Sequence, residues 1–85
     1  MAYEIHFAPS AAKRFKKLRG GLRGRVEAKV DGLAANARPP GVEKLAGADD
    51  LYRVRVGDFR IVYEIHDQRL TVLVVRIADR KDVYR

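Results

Sequence analysis

From Leu51 onward the apolar residues recur at every second position, whereas between Pro9 and Ala37 they recur at every third or fourth. One kind of element cannot satisfy both periods, so the chain must be helical early and stranded late. Tyr52, Val54 and Val56 alternate with Arg53 and Arg55, and Phe59, Ile61, Tyr63 and Ile65 alternate with Arg60, Val62 and Glu64. Gly57-Asp58 sits between these runs as a two-residue hairpin turn. Residues 70–77 are apolar on both faces for most of their length, the pattern of a strand interior to a sheet and covered on both sides.

The early half has its own punctuation. Tyr3, Ile5 and Phe7 alternate with Glu4 and His6 and predict a first, half-buried strand. Pro9 suits the first position of a helix, where its missing N–H would have no partner anyway. Ala11, Phe15 and Leu18 then form a buried stripe, and Gly20-Gly21 ends it. A second helix carries Leu22, Val26, Val30, Leu33 and Ala37 on one face until Arg38-Pro39-Pro40-Gly41 stops it. Residues 42–50 are too mixed to predict regular structure. The expected fold is α+β in the order β-α-α-β-β-β, a helical hairpin packed on one face of a largely antiparallel four-stranded sheet. Eighty-five residues suffice for a single domain spanning 1–85.

Charge narrows the partners. Eighteen Lys and Arg stand against eleven Asp and Glu, a net +7, while 47% apolar residues argue against disorder. A folded basic domain of this size suits a polyanion, nucleic acid before membrane, because no helix pairs a basic face with large exposed aromatics. With no cysteine, a disulfide framework, a thiolate metal site and a cysteine nucleophile are all excluded. No apolar run is long enough to span a bilayer, and the N-terminus lacks the pattern of a signal peptide, so the expectation is a cytoplasmic protein.

If Gly57 and Asp58 are the central turn residues, Val56 faces Phe59, Arg55 faces Arg60 and Val54 faces Ile61. Arg53, Arg55 and Arg60 then share the sheet face opposite the core. Like charges opposed across a strand pair destabilise by something within ~0.2–1 kcal/mol, and a bound anion relieves the repulsion. Arginine's planar fork matches phosphate oxygens, so the three form a phosphate cradle, or else a solvated face neutralised by Glu64 and Glu4. The helical hairpin holds Lys13, Arg14, Lys16, Lys17, Arg19, Arg23, Arg25 and Lys29 against the single acid Glu27. That imbalance suits a phosphate backbone read without base specificity. Two histidines, His6 and His66, fall on different elements, and no His, Asp or Glu cluster has metal-ligand spacing. Chemistry, where there is any, is expected to be metal-free and to rest on Arg, Lys and Tyr.

The stretch Tyr52-Arg53-Val54-Arg55-Val56-Gly57-Asp58-Phe59-Arg60-Ile61-Val62-Tyr63-Glu64-Ile65, with the ending Val74-Val75-Arg76-Ile77-Ala78-Asp79-Arg80-Lys81-Asp82-Val83-Tyr84-Arg85, closely resembles the RelE/ParE toxin superfamily. Lys44-Leu45-Ala46-Gly47 and the order of the elements also match, and Arg80 with Val83-Tyr84 favours the RelE branch. The resemblance implies a microbial-ribonuclease-like fold and the toxin of a type II toxin–antitoxin system. It also implies cleavage of mRNA in the ribosomal A site without cofactor or metal. There the 2′-hydroxyl attacks the adjacent phosphorus and leaves a 2′,3′-cyclic phosphate and a 5′-hydroxyl.

By position, Arg53, Arg55, Arg60, Arg80 and Tyr84 take the catalytic places. Arg60 would stabilise transition-state charge, Arg80 would bind phosphate or protonate the leaving group, and Tyr84 would orient the mRNA. Lys13, Arg14, Lys16, Lys17, Arg19, Arg23, Arg25 and Lys44 would contact RNA. Implied partners are the ribosome, mRNA and a cognate antitoxin whose acidic segment wraps the toxin into a hetero-oligomer. Two positions depart from the pattern. Some members carry lysines at Arg53 and Arg55, and Ala78-Asp79 stands where Gly-His is frequent. Arginine, with a pKa above ~12, is a poor proton acceptor, so the general base is left open. The alternatives are a ParE-like gyrase poison of the same fold and a non-catalytic RNA-binding module.

Overall fold

The computed structural model describes residues 2–47 and 50–79. It contains β1 (Glu4–Phe7), α1 (Pro9–Lys17), α2 (Gly20–Ala35), β2 (Glu43–Lys44), β3 (Leu51–Val56), β4 (Phe59–His66) and β5 (Thr71–Asp79), with a 3₁₀ turn at Asp67–Arg69. The sheet order is β1-β5-β4-β3-β2. Every pair is antiparallel except β1 with β5. A parallel pair needs a long crossover, and the two helices begin it by carrying the chain away from β1. The expected α+β layers are present. The sheet has five strands rather than four, because two residues of the mixed 42–50 connector, Glu43 and Lys44, pair with Arg53 and Tyr52. No helix among the described residues is long and apolar enough to cross a membrane.

Both helices pack on one face. Val26, Val30 and Leu33 of α2 and Ala11 of α1 meet Tyr52, Val54, Ile61, Tyr63, Val72 and Val74 in one buried cluster. Helix α2 ends at Ala35, short of Ala37, because Asn36 leaves the helical conformation. Ala37 is buried all the same, and its carbonyl accepts a 2.8 Å hydrogen bond from the Tyr63 hydroxyl. Burial pushes the Tyr63 phenol up to about 12.

The hairpin register is the one the alternation predicts: Val56 pairs with Phe59, Arg55 with Arg60 and Val54 with Ile61. Gly57 adopts φ +58°, a left-handed conformation that glycine enters without steric penalty.

Strand β5 departs from simple alternation. It is interior only where β1 flanks it, through Val74, and the side of the sheet away from the helices leaves Leu73 and Val75 half-exposed rather than covered. The pairing with β4 slips between Val62 and Tyr63, so Val62 faces Arg76, Tyr63 faces Val74, and Val75 bulges out unpaired. The bulge resets the phase. Val72 and Val74 point into the core, Arg76 points out, and Ile77 points in again.

Candidate nucleic-acid interface

Alternation on β3 and β4 places Arg53, Arg55 and Arg60 on the face that the helices leave open. Arg55 and Arg60 are directly opposed. No carboxylate among the described residues forms an ion pair with either, and the expected partners are engaged elsewhere. Glu4 accepts from His6 at 2.6 Å, and Glu64 meets His66 at 2.8 Å. The acid that does meet the arginines is one that sequence reasoning missed. Glu43 of β2 lies opposite Arg53 and takes two hydrogen bonds on Oε1, from Nη2 at 2.8 Å and Nε at 3.3 Å. Arg53, and more weakly Arg60 and Arg55, hold the Glu43 carboxyl below the usual carboxylate range.

The bulge adds a fourth arginine. Arg76 opposes Val62, which in turn opposes Arg53, so it lies in the row of Arg53 and stands on the same open face. It also lines a groove of about 710 Å³ with Lys13, Arg14 and Lys17 of α1. A basic path therefore runs from the sheet face around the end of β5 to the first helix. Strict alternation from Val72 and Val74 would bury Arg76 without a partner, and that conflict is the one sequence signal for the bulge.

The remaining basic residues divide by location. Arg25 crosses the hairpin turn and packs on Gly57, so that an added Cβ there would meet its guanidinium at 3.0 Å. With Lys29 and Arg55 it lines a second groove of about 530 Å³. Arg14 lies over the Phe59 ring at 5.8 Å and Arg23 over the Phe15 ring at 5.3 Å, so both are partly committed to packing. Lys16 and Arg19 are exposed beside them. Lys44 is opposite Tyr52, which places it on the helix side of β2, away from the arginine face. Arg80 and Tyr84 lie outside the described residues. His6 and His66 flank Leu73 and Thr71 at the far end of the open face and do not converge with the arginines. Among the described residues no three His, Asp or Glu side chains are placed to hold a metal ion.

An open sheet face whose arginines meet one carboxylate among the described residues, continuous with basic grooves, defines a small α+β domain suited to a chain of phosphates. Residues 5–84 match the family model described as the ParE toxin of the type II toxin–antitoxin system parDE. The chain belongs to this RelE/ParE family of toxins. It is 30% identical to the mRNA interferase toxin RelE of Escherichia coli strain K12, over 99% of this chain and 92% of that one. The isolated E. coli RelE toxin superposes with a TM-score of 0.83 at 28% identity, covering 98% of this chain and 92% of that one. RelE in the intact E. coli RelBE toxin–antitoxin complex gives 0.81 at 26% identity, over 92% and 96%. The chain is a RelE-type toxin with mRNA interferases among its relatives.

Proposed function

We propose that the protein is an endoribonuclease that cleaves mRNA in the ribosomal A site and so stops translation. The observation that carries this reading is the opposed pair Arg55–Arg60 beside Arg53 and Arg76 on one open face. Such a face is matched to the pentacovalent phosphate formed when a 2′-hydroxyl attacks the adjacent phosphorus. Preorganised cations aimed at developing charge supply the largest single part of many enzymatic rate enhancements. Arg60 and Arg55 hold the phosphate oxygens, and Arg80 and Tyr84 act at the leaving group and the flanking base. The helical basic residues, with Arg76, grip ribosomal and messenger RNA backbones. A site without a matched acid–base pair is slow on free RNA. The ribosome, by distorting the message toward in-line attack, supplies the missing orientation.

The partner in the resting cell is a cognate antitoxin, as in the RelE–RelB complexes of the structural relatives. An acidic segment that folds on binding is complementary to both basic grooves. The test is mapping of mRNA ends by primer extension in a purified translation system. Cuts within A-site codons that require ribosomes support the reading. The family model is described for ParE, so a gyrase supercoiling assay runs alongside. Gyrase inhibition without RNA cuts would replace the endoribonuclease with a gyrase poison.

A further inference from the structure

We propose that Arg76 holds a second phosphate of the message, one nucleotide from the scissile one, an inference that rests on the endoribonuclease reading above. The open face carries its arginines in two rows. Arg55 and Arg60 face each other in one, and Arg53, Val62 and Arg76 span β3, β4 and β5 in the other. The rows lie two residues apart along the strands, roughly 6.6 Å, which is close to the step from one phosphate to the next along an extended single strand. Across the second row, two strand spacings separate Arg53 from Arg76, roughly 9.6 Å, so guanidinium groups from both sides can reach one anion above Val62. Glu43 already takes two hydrogen bonds from Arg53. Arg76 is exposed and has no ion pair among the described residues, so the anion of this row falls mainly to it.

The bulge is what makes this subsite. Val75 is left unpaired and Arg76 turns out of the core, the way bulges re-aim a side chain at the cost of local pairing. Strand β1 pairs with β5 only through Val74. From Val75 onward β5 instead borders the groove whose other wall is Ser10, Lys13, Arg14 and Lys17 of α1. Arg76 therefore stands where that groove meets the arginine face, and a strand leaving the Arg55–Arg60 row toward α1 passes it. The flanking phosphate carries the same single charge before, during and after the reaction. A contact to it is equally strong in the ground and transition states, so Arg76 serves binding and positioning of the message rather than the chemical step.

The test is single-turnover cleavage on ribosomes programmed with synthetic messages, each carrying one neutral methylphosphonate at a phosphate flanking the cut site. Arg76→Ala should raise the toxin concentration for half-maximal cleavage about tenfold to a hundredfold, the worth of one hydrogen bond to a charged group, and leave the saturating rate nearly intact. Arg76→Lys should recover part of the loss. Neutralising the contacted phosphate should weaken the wild type by a similar factor and have no further effect in Arg76→Ala. That non-additivity marks a direct contact, since a merely structural arginine gives additive losses. Wild-type half-saturation in Arg76→Ala overturns the proposal. So does a loss that stays additive with every methylphosphonate, which would assign Arg76 to ribosomal RNA or to the fold. A fall confined to the saturating rate also overturns it and would place Arg76 at the scissile phosphate. Absence of cuts from the wild type removes the endoribonuclease reading itself, and the subsite with it, a result separate from those three.

Discussion

Arg38 and Arg60 are both partly exposed arginines on the same small domain, yet their surroundings are opposite. Arg38 donates through both Nη atoms to Asp67, at 3.2 and 2.9 Å, and through Nε to the Tyr52 hydroxyl at 3.3 Å. Its guanidinium also lies 5.1 Å over the Tyr52 ring, and Tyr3 adds a 2.6 Å hydrogen bond to Asp67. This end ties the segment after α2 to Tyr3 just before β1, to β3 and to the 3₁₀ turn, and each guanidinium nitrogen has a partner inside the protein. Arg60 faces Arg55 across the hairpin and has no ion pair among the described residues. One arginine is spent on the fold, and the other, on the function proposed above, meets an anion that the fold does not supply. Like-charged pairs with no internal relief are places where stability and function separate.

The largest expected effect follows from that separation. Arg60→Ala should lose at least ~2 kcal/mol of transition-state stabilisation, about thirtyfold in rate, with a Tm no lower than wild type. Arg38→Ala should do the reverse, lowering Tm while leaving the single-turnover cleavage rate intact. Next is Tyr63→Phe, which strips the buried Ala37 carbonyl of its donor and should cost about 1 kcal/mol in denaturant unfolding. A smaller effect of opposite sign is expected at the open face. Arg55→Thr removes the cross-strand repulsion and should gain up to ~1 kcal/mol of stability while slowing cleavage. Loss of stability on that substitution would show that the face is held together by something other than solvent and Glu43.

The acid limb of stability belongs to the Arg38 end. Arg38, and then Tyr3, hold the Asp67 carboxyl below the usual carboxylate range. The depressed folded-state pKa means that this stabilisation is present above the unfolded value and is lost as pH falls through the folded one. In Asp67→Asn, Tm at neutral pH should be below wild type, and the gap should close as pH falls into the acid range. The smallest expected change is at α1. Neutralising Lys13, Lys16 and Lys17 together should weaken ribosome binding and flatten its dependence on salt, whereas Arg38→Ala should leave that slope alone.

Much of this division is legible in the amino-acid sequence. The hairpin register follows from alternation about Gly57-Asp58, because a shift of one residue would turn Tyr52, Val54 and Ile61 out to water. The arginine face comes with it. Glu43 is hidden because a two-residue strand carries no period, and only its pairing with Arg53 reveals which way it faces. Arg76 is hidden because a bulge breaks the alternation that would locate it. The relief expected from Glu64 and Glu4 goes to the histidines two positions along each strand. Identical local spacing, Glu-x-His on both β1 and β4, satisfies those carboxylates before the arginines can reach them.

The most direct test of the account is single-turnover cleavage of a ribosome-bound message by wild type, Arg60→Ala and Arg38→Ala, each measured well below its own Tm. A rate lost in Arg60→Ala and kept in Arg38→Ala is the result the account predicts. Equal rates in all three, or a loss that follows stability rather than the open face, would contradict it.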